Sequence, residues 1–206
     1  MNKKKIISII LFLTVSFITY CFFPVLFFTQ QESVGPGNVL IFDRKGENIT
    51  DMPTKYGYYK FVPIDVNSRF IQALIYIEDE AYFSHYGIDV FSKLGAFQSN
   101  ISAGRVVSGG STLTEQYIKN KYFLGKKRSY LQKVREAMIS SWFSLSYLPD
   151  ITGWGKTKNE KKKYILEKYV QSIYLGHQNY GVGAAIDTYF GKHRLEDLSQ
   201  EEITLL

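Results

Sequence analysis

From Ile6 to Phe28 the chain carries no charged residue, and Lys3, Lys4 and Lys5 stand immediately before that run. About 20 consecutive apolar residues suffice to cross a bilayer as a helix. This run, interrupted only by Ser, Thr and Pro24 among its less apolar residues, therefore fixes the first element as a membrane anchor. Lysines on the short N-terminal side place residues 1–5 in the cytoplasm and the body of the chain outside. No small-x-small site follows the run, so a signal anchor over 6–28 is expected rather than a cleaved leader. Bulky Tyr20 before Cys21 argues against a lipoprotein signal. Residues 29–38, with two Gly and one Pro, read as a linker.

What remains, 39–206, is long enough for one compact domain. A hydrophobic content of 45% excludes a disordered chain, and a single cysteine excludes an intramolecular disulfide. The net charge of +6 suits an anionic partner. Seven cations fall between Lys119 and Arg135 (Lys119, Lys121, Lys126, Lys127, Arg128, Lys133, Arg135), interleaved with Tyr117, Tyr122, Phe123 and Tyr130. The external location argues against nucleic acid as that partner.

Helical periodicity dominates from Asp65 onward. Val39–Phe42 followed by Asp43-Arg44-Lys45-Gly46 reads as a strand entering a hairpin turn, whereas the tyrosine-rich stretch from Met52 to Val62 has no assignable pattern. Val66, Phe70, Ala73, Leu74 and Ile77 recur at helical spacing, with Asp65 or Asn67 as the expected cap. Glu78 then falls at the edge of that apolar face. A carboxylate there is partly desolvated, the condition that makes it a proton acceptor near neutral pH. Val90, Leu94, Phe97 and Ile101 form a second stripe ended by Gly104. Gly109-Gly110-Ser111-Thr112 reads as a turn opening a helix with a hydroxyl cap, and it lacks the Gly-Lys-Ser/Thr spacing of a phosphate loop. Leu131, Val134, Met138, Trp142 and Leu145 mark an amphipathic helix. Ile165, Leu166, Tyr169 and Ile173 mark another. A short helix is expected from Ala184 to Phe190, and Ser199-Gln200-Glu201-Glu202 has the form of a capping box.

Five segments in this order resemble the peptidoglycan glycosyltransferases, family 51, of class A penicillin-binding proteins and monofunctional transglycosylases. Glu78-Asp79-Glu80-Ala81-Tyr82-Phe83-Ser84-His85-Tyr86-Gly87 is similar to the family's Glu-Asp-x-x-Phe-x-x-His-x-Gly. Gly109 to Gln116 is similar to Gly-Gly-Ser-Thr-Ile-Thr-Gln-Gln, and Lys119-Asn120 follows it. Gln132-Lys133-Val134-Arg135-Glu136 lines up with Arg-Lys-x-x-Glu. Lys162 to Gln171 lines up with Lys-x-x-Ile-Leu-Glu-x-Tyr-Leu-Asn, and Leu198 to Leu206 with the start of a fifth motif.

The resemblance implies a mostly α, lysozyme-like domain with a small membrane-proximal lobe. It implies polymerisation of lipid II into glycan strands by inverting transfer, with undecaprenyl diphosphate leaving. Glu78 takes the place of the family's catalytic base and Glu136 that of its second essential glutamate. Lys119 and Arg128 are expected at the diphosphate; Asp79, Gly110, Ser111, Thr112, Gln116 and Lys133 are expected to bind substrate along the cleft. His85 is expected to be structural. No ligand cluster demands a metal, and Mg2+ at the donor diphosphate stays open. Lipid II, the growing glycan, membrane lipid and a separate penicillin-binding transpeptidase are the partners implied, at a bacterial cytoplasmic membrane. Four departures stand out: Glu115 for a neutral amide, Gln132 for an arginine, Gly95 where an arginine is usual, and a domain short at its C-terminus. Two alternatives stay open, an impaired paralogue that binds lipid II or a cell-wall partner, and a lysozyme-like enzyme that cuts glycan.

Overall fold

The computed structural model describes residues 3–28, 38–55, 57–123, 129–145 and 157–206. Helix α1 (Lys3–Phe28) coincides with the segment expected to be the anchor, and among the described residues it alone is long and apolar enough to cross a membrane. It does not stand apart from the domain. It packs against two later helices, burying Cys21 and laying the Tyr20 ring 4.3 Å from the Arg135 guanidinium.

The expected hairpin is present as β1 (Asn38–Phe42) paired antiparallel with β2 (Asn48–Pro53). Asp43 accepts from the backbone N–H groups of Lys45 and Glu47, and Gly46 supplies φ +84°. The unassigned tyrosine-rich stretch resolves into β3 (Tyr58–Tyr59), which pairs in parallel with the distant β4 (Asn179–Tyr180). A two-residue strand whose partner lies 121 positions on leaves no periodic signal in the sequence.

The body is helical: α2 (Arg69–Asp79), α3 (Val90–Ala103), α4 (Leu113–Tyr122), α5 (Tyr130–Ser144), α6 (Lys158–Ser172), α7 (Val182–Phe190) and α8 (Gln200–Leu205). Its core joins Phe70, Ile71 and Ile75 of α2 to Leu113 and Ile118 of α4, Ile139 and Phe143 of α5, and Ile165, Leu166 and Tyr169 of α6. The family's Asn is Gln171 here. Its side-chain amide donates to the Val62 carbonyl and its oxygen accepts from Val62 N–H at 3.4 Å, tying the end of α6 to the segment before α2.

Three sequence expectations change. Helix α2 starts at Arg69 after Ser68, and Asp65 accepts from Asn67 N–H instead of capping a helix. Its buried face is Phe70, Ile71, Ile75 and Asp79, so Ile77 is exposed and the burial expected at Glu78 falls on its neighbour. The same offset recurs in α5, where Gln132, Glu136, Ile139, Ser140 and Phe143 are buried and Leu131 and Val134 exposed. The stripe on α3 points outward, with only Ala96 buried. Gly104 ends α3 in the left-handed region (φ +62°) as expected, and capping boxes open α4, α6 and α8.

Candidate active site

Helix α2 delivers two adjacent carboxylates to opposite environments. Asp79 is buried, where its Oδ1 accepts from His85 Nε2 at 2.8 Å and its Oδ2 from the Leu113 N–H at 3.0 Å. That second bond satisfies a free donor at the start of α4, the natural place for an anion. Glu78, one position earlier, projects from the surface into the rim of a cleft of about 200 Å³ lined by Ala73, Leu74, Ile77, Tyr169, Ile173 and Leu206.

Glu78 is nonetheless held. Gln116 on α4 donates its Nε2 to Glu78 Oε2 at 2.6 Å, and the Gln116 oxygen accepts from the Tyr169 hydroxyl at 3.1 Å. Because the phenol can donate to the amide oxygen only when the amide nitrogen faces the other way, Tyr169 fixes Gln116 with its NH2 toward the carboxylate. Burial first, and the nearby Glu78 charge second, push the Tyr169 phenol well above its ordinary range. It therefore stays a donor across working pH.

The glycine-rich turn is built by close packing. Thr112 is the N-cap of α4, accepting from Glu115 N–H, and its hydroxyl donates to the Gly87 carbonyl at 2.6 Å. Gly87 has φ +84°, and a Cβ there would lie 2.1 Å from the Ser140 carbonyl oxygen of α5. Gly110 packs closely, though less tightly, against α3, where a Cβ would meet Lys93 Cα at 2.9 Å. Asn100 pins the preceding loop by accepting from the N–H groups of Val107 and Ser108.

Glu115, the first departure, does not face the cleft. It is 2% exposed, takes two contacts from Lys93 Nζ (2.8 and 3.0 Å) and accepts from Thr112 N–H. Its negative charge is neutralised within the wall by a cation of α3, which also donates to the Gly110 carbonyl. Gln132, the second departure, lies one turn before Glu136 and donates to its Oε1 at 2.8 Å, so the buried glutamate keeps a partner. Gly95 has open space around it.

On the other side of the turn, Lys133 of α5 donates to Ser111 Oγ at 2.6 Å. Lys119, one turn beyond Gln116 on α4, is half-buried with no ion-pair partner among the described residues. Arg128, with Lys126 and Lys127, lies outside the described residues. The rest of the basic cluster is engaged elsewhere: Arg135 lies between the rings of Tyr20 and Phe123, and Lys121 lies over Tyr117 and Tyr122. Glu78, Asp79, Gly110, Ser111, Thr112 and Gln116 are thus joined through α2 and the start of α4, while Lys133 and Glu136 enter from α5. Among the described residues no group of three His, Cys, Asp or Glu side chains converges as a metal site. Asp79, Glu115 and Glu136 each accept from protein donors.

Tyr169, Lys93 and Lys162 were not singled out by the sequence for the site. Tyr169 sat on a core stripe, and nothing in the sequence pairs Lys93 with a residue 22 positions away. Lys162 was visible only as the first residue of a motif.

Residues 45–206 match the sequence model of the family described as Transglycosylase. The chain belongs to this transglycosylase family. Among its relatives, penicillin-binding protein 1A of Pseudomonas aeruginosa is 36% identical over 156 residues, covering 74% of this chain and 17% of that protein. Penicillin-binding protein 1A of Aquifex aeolicus is 36% identical over 167 residues, covering 81% of this chain and 21% of the relative. Penicillin-binding protein 2D of Bacillus subtilis is 32% identical over 173 residues, 83% of this chain and 23% of the relative. The chain therefore spans about a fifth of the length of these relatives. The transglycosylase match begins at Lys45, in the turn of the β1–β2 hairpin, and covers every helix after α1.

Proposed function

We propose that the chain polymerises lipid II into glycan strands by inverting glycosyl transfer, releasing undecaprenyl diphosphate. The observation that carries this reading is the Tyr169–Gln116–Glu78 array. It presents one carboxylate, oriented and accessible, at the rim of a largely apolar cleft. Glu78 accepts the proton of the acceptor's 4-hydroxyl as that oxygen attacks C1 of the donor. Inversion needs one displacement and one base, so no covalent glycosyl-enzyme forms. In this role the carboxylate needs access to its substrate more than it needs burial.

The departing diphosphate requires preorganised positive charge. Lys133, seated on Ser111, and the half-buried Lys119 supply it from α5 and α4, with Arg128 assigned to the same task. Glu136 stands behind Lys133 on α5, held by Gln132. Gly110, Ser111 and Thr112 shape the wall between the two halves, and no step runs through a metal. Helix α1 tethers the domain to the outer face of the cytoplasmic membrane, where the lipid-linked substrate resides; anionic headgroups suit the net positive charge. Cross-linking of the product belongs to a penicillin-binding transpeptidase, as a partner of this activity.

The pairing of Glu115 with Lys93 and of Gln132 with Glu136 supports turnover over the impaired-paralogue reading, because the added carboxylate is neutralised inside the wall and the buried glutamate keeps a donor in place of the family's arginine. Purified protein given labelled lipid II should yield glycan chains together with undecaprenyl diphosphate. Retained lipid II binding without polymer would favour the impaired paralogue, and cleavage of preformed glycan would favour the hydrolytic reading.

A further inference from the structure

Behind Asp79 lies a buried cation that the proposed chemistry does not use. Lys162, on the first half of α6, is 0% exposed. Its Nζ lies 3.4 Å from His85 Nδ1, 3.3 Å from Thr114 Oγ1 and 4.2 Å from the centre of the Tyr82 ring. The Tyr82 hydroxyl donates to the Lys162 carbonyl at 2.7 Å, fixing the helix backbone as well. A buried lysine costs several kcal/mol unless it is paired, so its retention demands a use.

We propose that Lys162 is a positioning residue: it fixes the tautomer of His85 and, through His85 and Asp79, the seat of Glu78. The Lys162 ammonium donates to His85 Nδ1, and the Asp79 carboxylate, which can only accept, takes the Nε2 proton at its Oδ1, so both contacts select the Nε2-protonated tautomer. Asp79, kept anionic, holds the Leu113 N–H at the start of α4 with its other oxygen. Three residues further along that helix, Gln116 grips Glu78, the residue that precedes Asp79 in α2. The path is therefore a closed loop from α6 through the first motif to α4 and back to the base. Every member except Glu78 and Gln116 is withdrawn from solvent.

The groups facing the amine are Asp79 from α2, Tyr82 and His85 from the turn after it, Thr114 from α4 and Lys158 on its own helix. Burial lowers the Lys162 amine to about 7, with Asp79 opposing that shift and Lys158 adding to it. The neutral amine keeps N–H donors for Nδ1 but can also accept, so above that value it is the Asp79 carboxylate, which can only accept, that holds the proton on Nε2.

The inference rests on the glycosyl-transfer reading of the site, and the test separates the two. Nitrogen-15 histidine spectra of the full chain in detergent at pH 8 should show His85 protonated at Nε2 and bare at Nδ1. In Lys162→Met the Nδ1 side of the ring loses its donor, so the spectra should show a second His85 species protonated at Nδ1. On lipid II, that variant should lose about 100-fold in kcat, the scale of a misplaced catalytic group, with KM within about threefold. A wild-type spectrum with the proton on Nδ1 overturns the inference without any variant. So does a variant whose His85 spectrum matches the wild type, or whose loss falls in KM. Wild-type protein that makes no glycan defeats the functional reading instead, and the spectra then judge Lys162 alone.

Discussion

Removing the Lys93 amine should strand the Glu115 carboxylate inside the wall of the cleft. Glu115 is 2% exposed and Lys93 32% exposed, so the pair is buried from the acid's side and open to water from the amine's. Losing one partner of a fully buried pair costs about 3–5 kcal/mol. Water reaching the Lys93 position reduces this, and about 2–3 kcal/mol is expected for Lys93→Met. Glu115→Gln restores the amide usual in the family. It can still accept from Thr112 N–H, and it leaves a lysine that re-solvates, so about 1 kcal/mol is expected. The double variant should resemble Glu115→Gln alone, giving a coupling of about 2 kcal/mol. Denaturant titration of the four proteins in detergent measures the cycle, and melting should fall by about 4–10 °C for Lys93→Met. Polymerisation should survive Glu115→Gln and fall in Lys93→Met, because Lys93 also holds the Gly110 carbonyl. Additive changes, or a Lys93→Met protein within 0.5 kcal/mol of wild type, would refute the compensation.

Other perturbations follow from the same geometry. Gly87→Ala places a Cβ 2.1 Å from the Ser140 carbonyl oxygen at a φ of +84°; a loss of more than about 3 kcal/mol is expected by denaturation, and an unchanged midpoint would contradict the packing. Tyr169→Phe frees Gln116 to rotate and should lower kcat about fivefold, the equivalent of about 1 kcal/mol, with stability little changed. Lys162 has a folded-state value of about 7 against 10.5 when unfolded, so the unfolded chain binds more protons between those values. Stability should therefore rise with pH across that window, by at most about 1.4 kcal/mol per pH unit, and a Lys162→Met protein should lack that component of the slope.

The sequence made the motifs and most helix ends legible, because caps and turns are local chemistry. The hydroxyl cap expected in the Gly109–Thr112 turn is Thr112, and Ser199 opens the helix its capping box announces. It misread which side of α2 and α5 is buried, in both cases by about one residue. Apolar periodicity assumes that apolar side chains seek the core, yet here Ile77, Leu131 and Val134 are exposed while Asp79, Gln132 and Glu136 are buried. A site that withdraws its supporting acids and satisfies them with His85, Leu113 N–H and Gln132 reverses that assumption locally. The desolvation argument for Glu78 therefore picked the right helix end and the wrong member of the pair. The Lys93–Glu115 and Lys162–His85 contacts join segments far apart in the chain, and a single sequence carries no mark of them. The departure at Glu115 is explained only by its partner, Lys93.

The central claim is that Glu78 is the general base. Steady-state polymerisation of lipid II by Glu78→Gln, compared with wild type at saturating substrate, tests it most directly. The amide is isosteric and cannot accept the proton, so kcat should drop roughly 10²–10⁴-fold while lipid II binding persists. Polymer formed at the wild-type rate by Glu78→Gln would contradict the account.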